Sequence, residues 1–177
     1  LGVGPNTNIA ARPCTCRAGT AADPDHAMVC DHCSKETTFR HNTMTSVWRR
    51  AAQDAGSATT AEPRLGALAH SVRGMAAAGL CRGDFCAIVD NRLIVADVVV
   101  THPAADSYAG AAARTAGAAA LAAERRKVTA YKKREDGAGY EFVPLATESF
   151  GRHGVQAARF LSRLGDMVAA RGASKAQ

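Results

Sequence analysis

Residues 84–100, read as DFCAIVD, Asn91-Arg92 and LIVADVVV, constrain the fold more than any other stretch of the chain. Two β-rich runs meet across a short Asp-Asn turn, a pattern that predicts a hairpin. The second run is apolar at every position except Asp97. Successive residues of a strand face opposite sides, so a strand apolar on both sides is buried between two layers. Asp97 is then a carboxylate where an unpaired charge is costly. The expectation is an α/β domain with this strand inside it.

The flanking sequence predicts the layers. Residues 43–56 (TMTSVWRRAAQDAG) carry Met44, Val47 and Trp48 at helical spacing, with Asn42 or Thr43 as cap and Gly56 as terminator. Residues 57–65 break the pattern at Pro63, and residues 66–80 are ambiguous because glycines interrupt a helical period. After Thr101-His102-Pro103, an alanine-rich stretch running to about Arg134 predicts one long helix. The cations ERRK and YKKR fall in its last turns, where the helix dipole favours them. Residues 139–145 (GYEFVPL) predict another strand, and residues 153–171 an amphipathic helix through Val155, Ala158, Leu161, Leu164 and Met167.

Composition excludes some classes. Apolar residues make up 47% of the 177, enough for a packed core, although aromatics are only 5%. No apolar run reaches the roughly 18 residues of a membrane span, so no membrane partner is expected. With 22 Lys plus Arg against 16 Asp plus Glu, the net charge is +6, which favours polyanions weakly. The first residue is Leu, which suggests a piece of a longer product.

Six cysteines stand at positions 14, 16, 30, 33, 81 and 86. Four crowd into the first 33 residues beside His26 and His32. Close Cys pairs with interleaved histidines read as a zinc site more readily than as disulfides. Two ligand sets are open: Cys14, Cys16, His26 and Cys30, or a set using Cys33 in a Cys-x-x-Cys with Cys30. Cys81 and Cys86 read as small core residues.

Asp84 and Asp97 are carried on the two adjacent strands, and a hairpin can bring such carboxylates together. Two close carboxylates repel, and a divalent cation such as Mg²⁺ relieves them. That ion suits phosphodiester cleavage. Lys127, on the long helix with Glu124 one turn before it and Tyr131 one turn after, is a candidate to orient the attacking water. Read separately, Asp84 is a turn residue, Asp97 half of a salt bridge and Lys127 part of a solvated basic face.

The motifs occur in a telling order: Cys14-Thr15-Cys16 with His26 and Cys30, Arg40-His41-Asn42, Glu62-Pro63, Asp84 with Asp97, Lys127 with Tyr131, Phe142-Val143-Pro144, and Glu148-Ser149-Phe150-Gly151. In that order the chain resembles the restriction-enzyme-like endonuclease domain found downstream of reverse transcriptase in non-LTR retrotransposons and related mobile elements. That domain belongs to the PD-(D/E)xK nuclease superfamily. The resemblance runs from Cys14 to about Leu164. Two positions depart from it: Gly83 stands where the family has Pro before the first Asp, and Val99 where the superfamily has its Lys.

The resemblance implies a restriction-endonuclease-like core, a small mixed sheet flanked by helices, with an N-terminal zinc knuckle. Residues 1–13 would be a linker, 14–42 the knuckle, 43–171 the nuclease domain and 172–177 a flexible tail. It favours the Cys14, Cys16, His26 and Cys30 set for a structural Zn²⁺. It implies a catalytic Mg²⁺ or Mn²⁺ on Asp84 and Asp97, and Lys127, with Lys132 as the alternate, in place of the missing superfamily lysine. Glu62 is a further catalytic candidate, with Tyr131 and Glu148 as accessories. Arg40, His41, Arg125, Arg126, Lys132 and Lys133 are candidates for nucleic-acid contact; for Arg40 and His41 the competing role is to tie the knuckle to the core. The implied activity is nicking of double-stranded target DNA in the nucleus, with element RNA and an upstream reverse transcriptase as partners in one polypeptide. Rival readings are an inactive nucleic-acid-binding zinc module and a Holliday-junction or repair nuclease.

Overall fold

The structure is a computed structural model that describes residues 14, 16, 24–30, 32, 34–63, 83–135 and 139–174. Its elements are α1 (Pro24–Val29), α2 (Ser34–Asp54), β1 (Thr59–Ala61), β2 (Phe85–Val89), β3 (Arg92–Thr101), α3 (Asp106–Ala112), α4 (Ala118–Glu135), β4 (Glu141–Glu148) and α5 (Val155–Ser174). The expectations for residues 1–13, 64–82 and 175–177, and for Cys33 and Cys81, lie outside the described residues.

The strands form one sheet in the order β1-β2-β3-β4. The first two pairings are antiparallel, and β3 with β4 is parallel. This is a mixed α/β fold. The β2–β3 turn is as tight as its sequence suggests. Asp90 and Asn91 both take the left-handed conformation, with φ of 51° and 58°. That is the two-residue turn whose twist matches a hairpin, and Asp and Asn tolerate it better than other side chains. A parallel neighbour cannot follow through a tight turn, so α3 and α4 make the crossing from β3 to β4.

The alternation of β3 sorts the layers. Ile94, Ala96 and Val98 join Trp48 and Ala52 of α2 and Ala157, Phe160 and Leu164 of α5 in the larger core. Val95 and Val99 face the other way, toward clusters that include Tyr131, Ala120 and Ala123 of α4. The sheet is therefore covered by α2 and α5 on one face and by α4 on the other. Phe160 is 1% exposed and meets Trp48 and Phe85 edge-on; burying such a ring contributes about 2–3 kcal/mol. Asp97 lies on the α4 side with Val95 and Val99. Its partner in register is Pro144, whose missing N–H is tolerated because β4 has no further strand beyond it among the described residues.

Two buried glutamates fasten the helices to this frame. Glu148, at the end of β4, accepts from the backbone N–H of Ala120 in the first turn of α4, at 3.2 Å. Glu124, on α4, accepts from Gln156 and Ala157 N–H in the first turn of α5, at 2.8 and 3.3 Å. Helix N-termini expose unpaired donors and carry partial positive charge, so each carboxylate satisfies a need that is otherwise left open. Gly154 makes the second contact possible: a Cβ there would lie 2.1 Å from Glu124 Oε1.

Three elements differ from the sequence expectation. α2 begins at Ser34, nine residues before the expected start at residue 43. Residues 37–42 are mostly polar and largely exposed, so no apolar period marks them; tertiary contacts of Arg40 and His41 hold the extra turns. The long alanine-rich helix is two helices, because Gly117 takes φ +86° between α3 and α4. β4 runs through Glu148, three residues beyond the expected end, since its parallel pairing with β3 continues to Thr101.

Candidate functional site

The hairpin carries Asp84 and Asp97 to one place. Asp84 precedes β2, and its backbone N–H donates to Ala96 O at 2.9 Å, which sets it beside Asp97. Gly83 permits this approach, because a Cβ there would stand 2.5 Å from Val95 Cγ1 and 3.1 Å from Ala96 O. Glycine at this position therefore reflects a close crossing of β3.

The two acids sit in different surroundings. Asp84 Oδ2 accepts from Val98 N–H at 2.6 Å and from His41 Nε2 at 3.2 Å. Burial works to raise this carboxyl, but the hydrogen bonds from His41 and Val98 outweigh it and hold Asp84 below the ordinary aspartate value. Asp97 is raised instead: burial dominates, Lys127 pulls against it, and the charge of Asp84 adds to the rise. Lys127 Nζ donates to Asp97 Oδ2 at 2.9 Å. The opposite displacements have local causes: His41 and the Val98 N–H hold Asp84 down, while burial beside Asp84 lifts Asp97.

His41 is the member whose role the sequence did not reveal. Its Nε2 lies 3.2 Å from Asp84 Oδ2 and 3.1 Å from Val98 O, while Nδ1 lies 3.3 Å from Asn42 Oδ1. Every one of these partners is an acceptor, so both ring nitrogens are called on to donate, which is the imidazolium form. The hydrogen bond to Asp84 accordingly raises His41 to about 9, against the effect of burial. Arg40, its neighbour, turns the other way and donates from Nη2 to Met28 O at 3.1 Å and to Thr37 Oγ1 at 3.2 Å. This ties α1 to α2.

Other candidates separate from this centre to different degrees. Glu62 is brought close through its backbone, its N–H donating to Asp84 O at 2.9 Å, and its side chain is exposed. Its φ of +44° is a conformation that costs a non-glycine residue about 1–3 kcal/mol. Tyr131 lies in the core, stacked on Phe142 with ring centroids 4.0 Å apart. Glu148 caps α4 as described, and Glu124, expected on the Lys127 face, is turned to α5. Arg125 and Arg126 are exposed, and Arg126 donates to the Tyr108 hydroxyl at 3.0 Å. The α4 backbone includes Lys132 and Lys133, whose side chains lie outside the described residues. Cys86 is buried, as expected of a core cysteine.

A second cluster lies at the N-terminus. The ligand atoms of Cys14, Cys16, His26 and Cys30 all fall within 4.8 Å of one another. Cys14 Sγ and Cys30 Sγ are 3.6 Å apart, too far for a disulfide, and Cys16 Sγ is 3.2 Å from His26 Nε2. Tetrahedral zinc with Zn–S near 2.3 Å places its ligand atoms about 3.5–3.8 Å apart, so the spacing suits the ion. The Cys14 thiol is brought down to about 6, first by the backbone N–H of Cys16 and then by His26; a depressed thiol is the form that ligates metal. These four residues could hold a metal ion such as zinc.

His102, which no motif in the sequence marks, couples this segment to the core. It is buried, with Nε2 3.0 Å from Asp25 Oδ1, next to the ligand His26, and Nδ1 2.6 Å from Ser149 Oγ in the turn after β4. No described helix is long and apolar enough to cross a membrane. No family model matches the chain, and no curated protein matches it either.

Proposed function

We propose that this protein is a metal-dependent endodeoxyribonuclease domain that nicks double-stranded target DNA. The observation that carries this reading is the convergence of Asp84, Asp97 and Lys127, from a hairpin and a separate helix, with the two acids displaced in opposite directions. Asp84 and Asp97 would hold Mg²⁺ or Mn²⁺, and such an ion supplies charge neutralisation at the phosphate and a lowered pKa for bound water. Lys127 would orient the attacking water and oppose charge building on the phosphate. His41 and the Val98 N–H hold Asp84 Oδ2 in place, and so would position the carboxylate for its part in the site. Glu62 would serve as an outer ligand, placed by its backbone bond to Asp84.

The zinc cluster is structural in this reading, since four protein ligands leave no open position. The resemblance to the mobile-element endonucleases supports a setting in which a nicked chromosomal strand primes reverse transcription by an upstream domain, in the nucleus.

One observation favours a second reading, a non-catalytic nucleic-acid-binding module: Lys127 already pairs with Asp97, and His41 with Asp84, so each acid has a partner without a metal. Nicking of supercoiled plasmid separates the two. The nuclease reading expects Mg²⁺-dependent conversion to open circles that Asp97→Ala abolishes. A parent protein that binds DNA but never nicks it supports the module, and an Asp97→Ala variant that nicks as well as the parent refutes the site. Preference for branched over linear substrates would indicate a junction or repair nuclease.

A further inference from the structure

Two large aromatic side chains stand in solvent beside grooves at the same end of the sheet. Phe39 on α2 is 70% exposed, and Phe150 in the turn between β4 and α5 is 75% exposed. Phe39 borders a groove of about 480 Å³ walled by Met28, Met44 and Val100, with Ser149 and His153 among its polar groups. Phe150 borders a second groove with Pro103 and Arg152. Both grooves are edged by Glu148 and Gly151, so they adjoin across the turn that follows β4.

Isolated exposed apolar residues need no explanation, but an exposed phenylalanine bordering an apolar-walled groove, as Phe39 does, needs one. The groove volume falls within the roughly 300–1,000 Å³ of sites that take small flat ligands. The charge around it suits an anion: Arg152, exposed, lines the second groove, in a chain of net charge +6, whereas the Arg40 guanidinium beside the first is bound to Met28 and Thr37. The shared acid, Glu148, has its carboxylate turned inward to Ala120 N–H. A face aromatic enough to stack a base, apolar enough to exclude water from it and flanked by arginine is what single-stranded nucleic acid requires. A duplex does not fit this description, because its bases are stacked on one another and cannot enter a groove.

The first groove and Asp97 lie on different sides of β3. Val100 is three residues beyond Asp97, so by the alternation of the strand it faces α2 and α5 while Asp97 faces α4. Phe39 is two residues before His41 on α2, a spacing that turns the two side chains to different sides of the helix.

We infer that Phe39 and Phe150 form a stacking platform for unpaired bases, by which this protein holds a single strand of nucleic acid at this end of its sheet. The inference goes beyond the proposed nuclease reading and is tested apart from it.

The test is fluorescence anisotropy of the full chain, zinc retained and Mg²⁺ omitted, with a labelled 12-nucleotide single strand, the same length of abasic strand, and a hairpin duplex. Phe39→Ala should weaken single-strand binding about 5- to 100-fold, the loss of one base–aromatic stack. Affinity for the abasic strand and the duplex should stay unchanged, and so should the salt dependence, which counts phosphate contacts. Phe39→Trp should bind the single strand at least as well as the parent. Phe150→Ala should reproduce the same pattern. Phe39 is exposed, so Phe39→Ala should leave thermal unfolding unchanged; Phe150 also meets buried His102 edge-on at 5.5 Å, so the binding of Phe150→Ala is read with its own thermal unfolding beside it.

Equal single-strand affinity in parent and Phe39→Ala overturns the inference. So does an equal loss on the duplex, or a dimer in the parent that Phe39→Ala dissolves, which would give the groove to a second copy of the chain. The nuclease reading stands or falls separately on plasmid nicking by Asp97→Ala, which should bind the single strand like the parent.

Discussion

Lys127→Met tests whether the buried acid at the proposed centre depends on its ammonium partner. The substitution leaves Asp97, whose side chain is 8% exposed, beside Asp84 with nothing at 2.9 Å to oppose its charge. Two unit charges at that separation attract by about 6 kcal/mol at an effective dielectric near 20, and desolvation offsets much of this. Removing one member of a buried pair typically costs about 3–5 kcal/mol. Lys127 is 31% exposed, so the expected loss at pH 7 is nearer about 2–3 kcal/mol.

The carboxyl has an escape, which is to take up a proton, and this caps the loss. Protonating an aspartate of ordinary value 3.8 costs about 4 kcal/mol at pH 7 and about 1.6 kcal/mol at pH 5, at 1.36 kcal/mol per unit of pH. The sign agrees with linkage. A carboxyl raised in the folded protein binds more protons there than in the unfolded chain, so stability is greatest below 3.8 and falls as pH rises through the folded value. The variant extends that window upward, so its loss should shrink to under about 1.6 kcal/mol at pH 5. Urea unfolding followed through the single Trp48, 3% exposed in the core, would measure it, with the parent run at each pH. Asp97→Asn combined with Lys127→Met should recover most of the stability. An equal loss at both pH values, or a double variant no better than the single one, would refute the reasoning.

Three further outcomes are expected. His41 is raised to about 9 from an ordinary 6.5, so its bond to Asp84 stabilises the fold fully below pH 6.5 and is lost as pH climbs through about 9; the stability gap between the parent and His41→Ala should therefore close over that range in urea titrations. Cys30→Ser should lose stoichiometric zinc in a chromophoric release assay, whereas Cys33→Ser should keep it; the opposite result would hand the site to the Cys-x-x-Cys set. Gly154→Ala should cost about 1–3 kcal/mol in thermal unfolding by driving the Glu124 carboxylate off the α5 N-terminus. In a Glu124→Ala background that penalty should largely vanish, and a persisting penalty would place the strain elsewhere.

Local pattern carries far in this chain, and where it stops is instructive. LIVADVVV announced a buried strand because two-faced apolarity has few other uses, and Asp90-Asn91 announced its turn because few side chains accept positive φ. The Cys and His spacing announced a cluster that could hold a metal ion, since ligands must be near one another whatever the rest does. The first half of α2 stayed hidden because its exposed polar residues have no period to show. Gly117 was visible, but a single glycine inside an alanine run does not reveal whether the chain bends at it.

By itself, then, the sequence determined the hairpin, the Cys- and His-rich segment and the candidate acids, because each rests on neighbours in the chain or on residue chemistry alone. Only the tertiary structure decided what surrounds the acids. His41 is 43 residues from Asp84, and Lys127 is 30 from Asp97. Glu124 and Glu148, which read from the chain as members of the site, are occupied at helix termini 32 and 28 residues away. Whether a carboxylate binds a cation, pairs with a lysine or caps a helix depends on which charge and which N–H the fold brings within about 3 Å of it. Nothing in its own stretch of sequence records that.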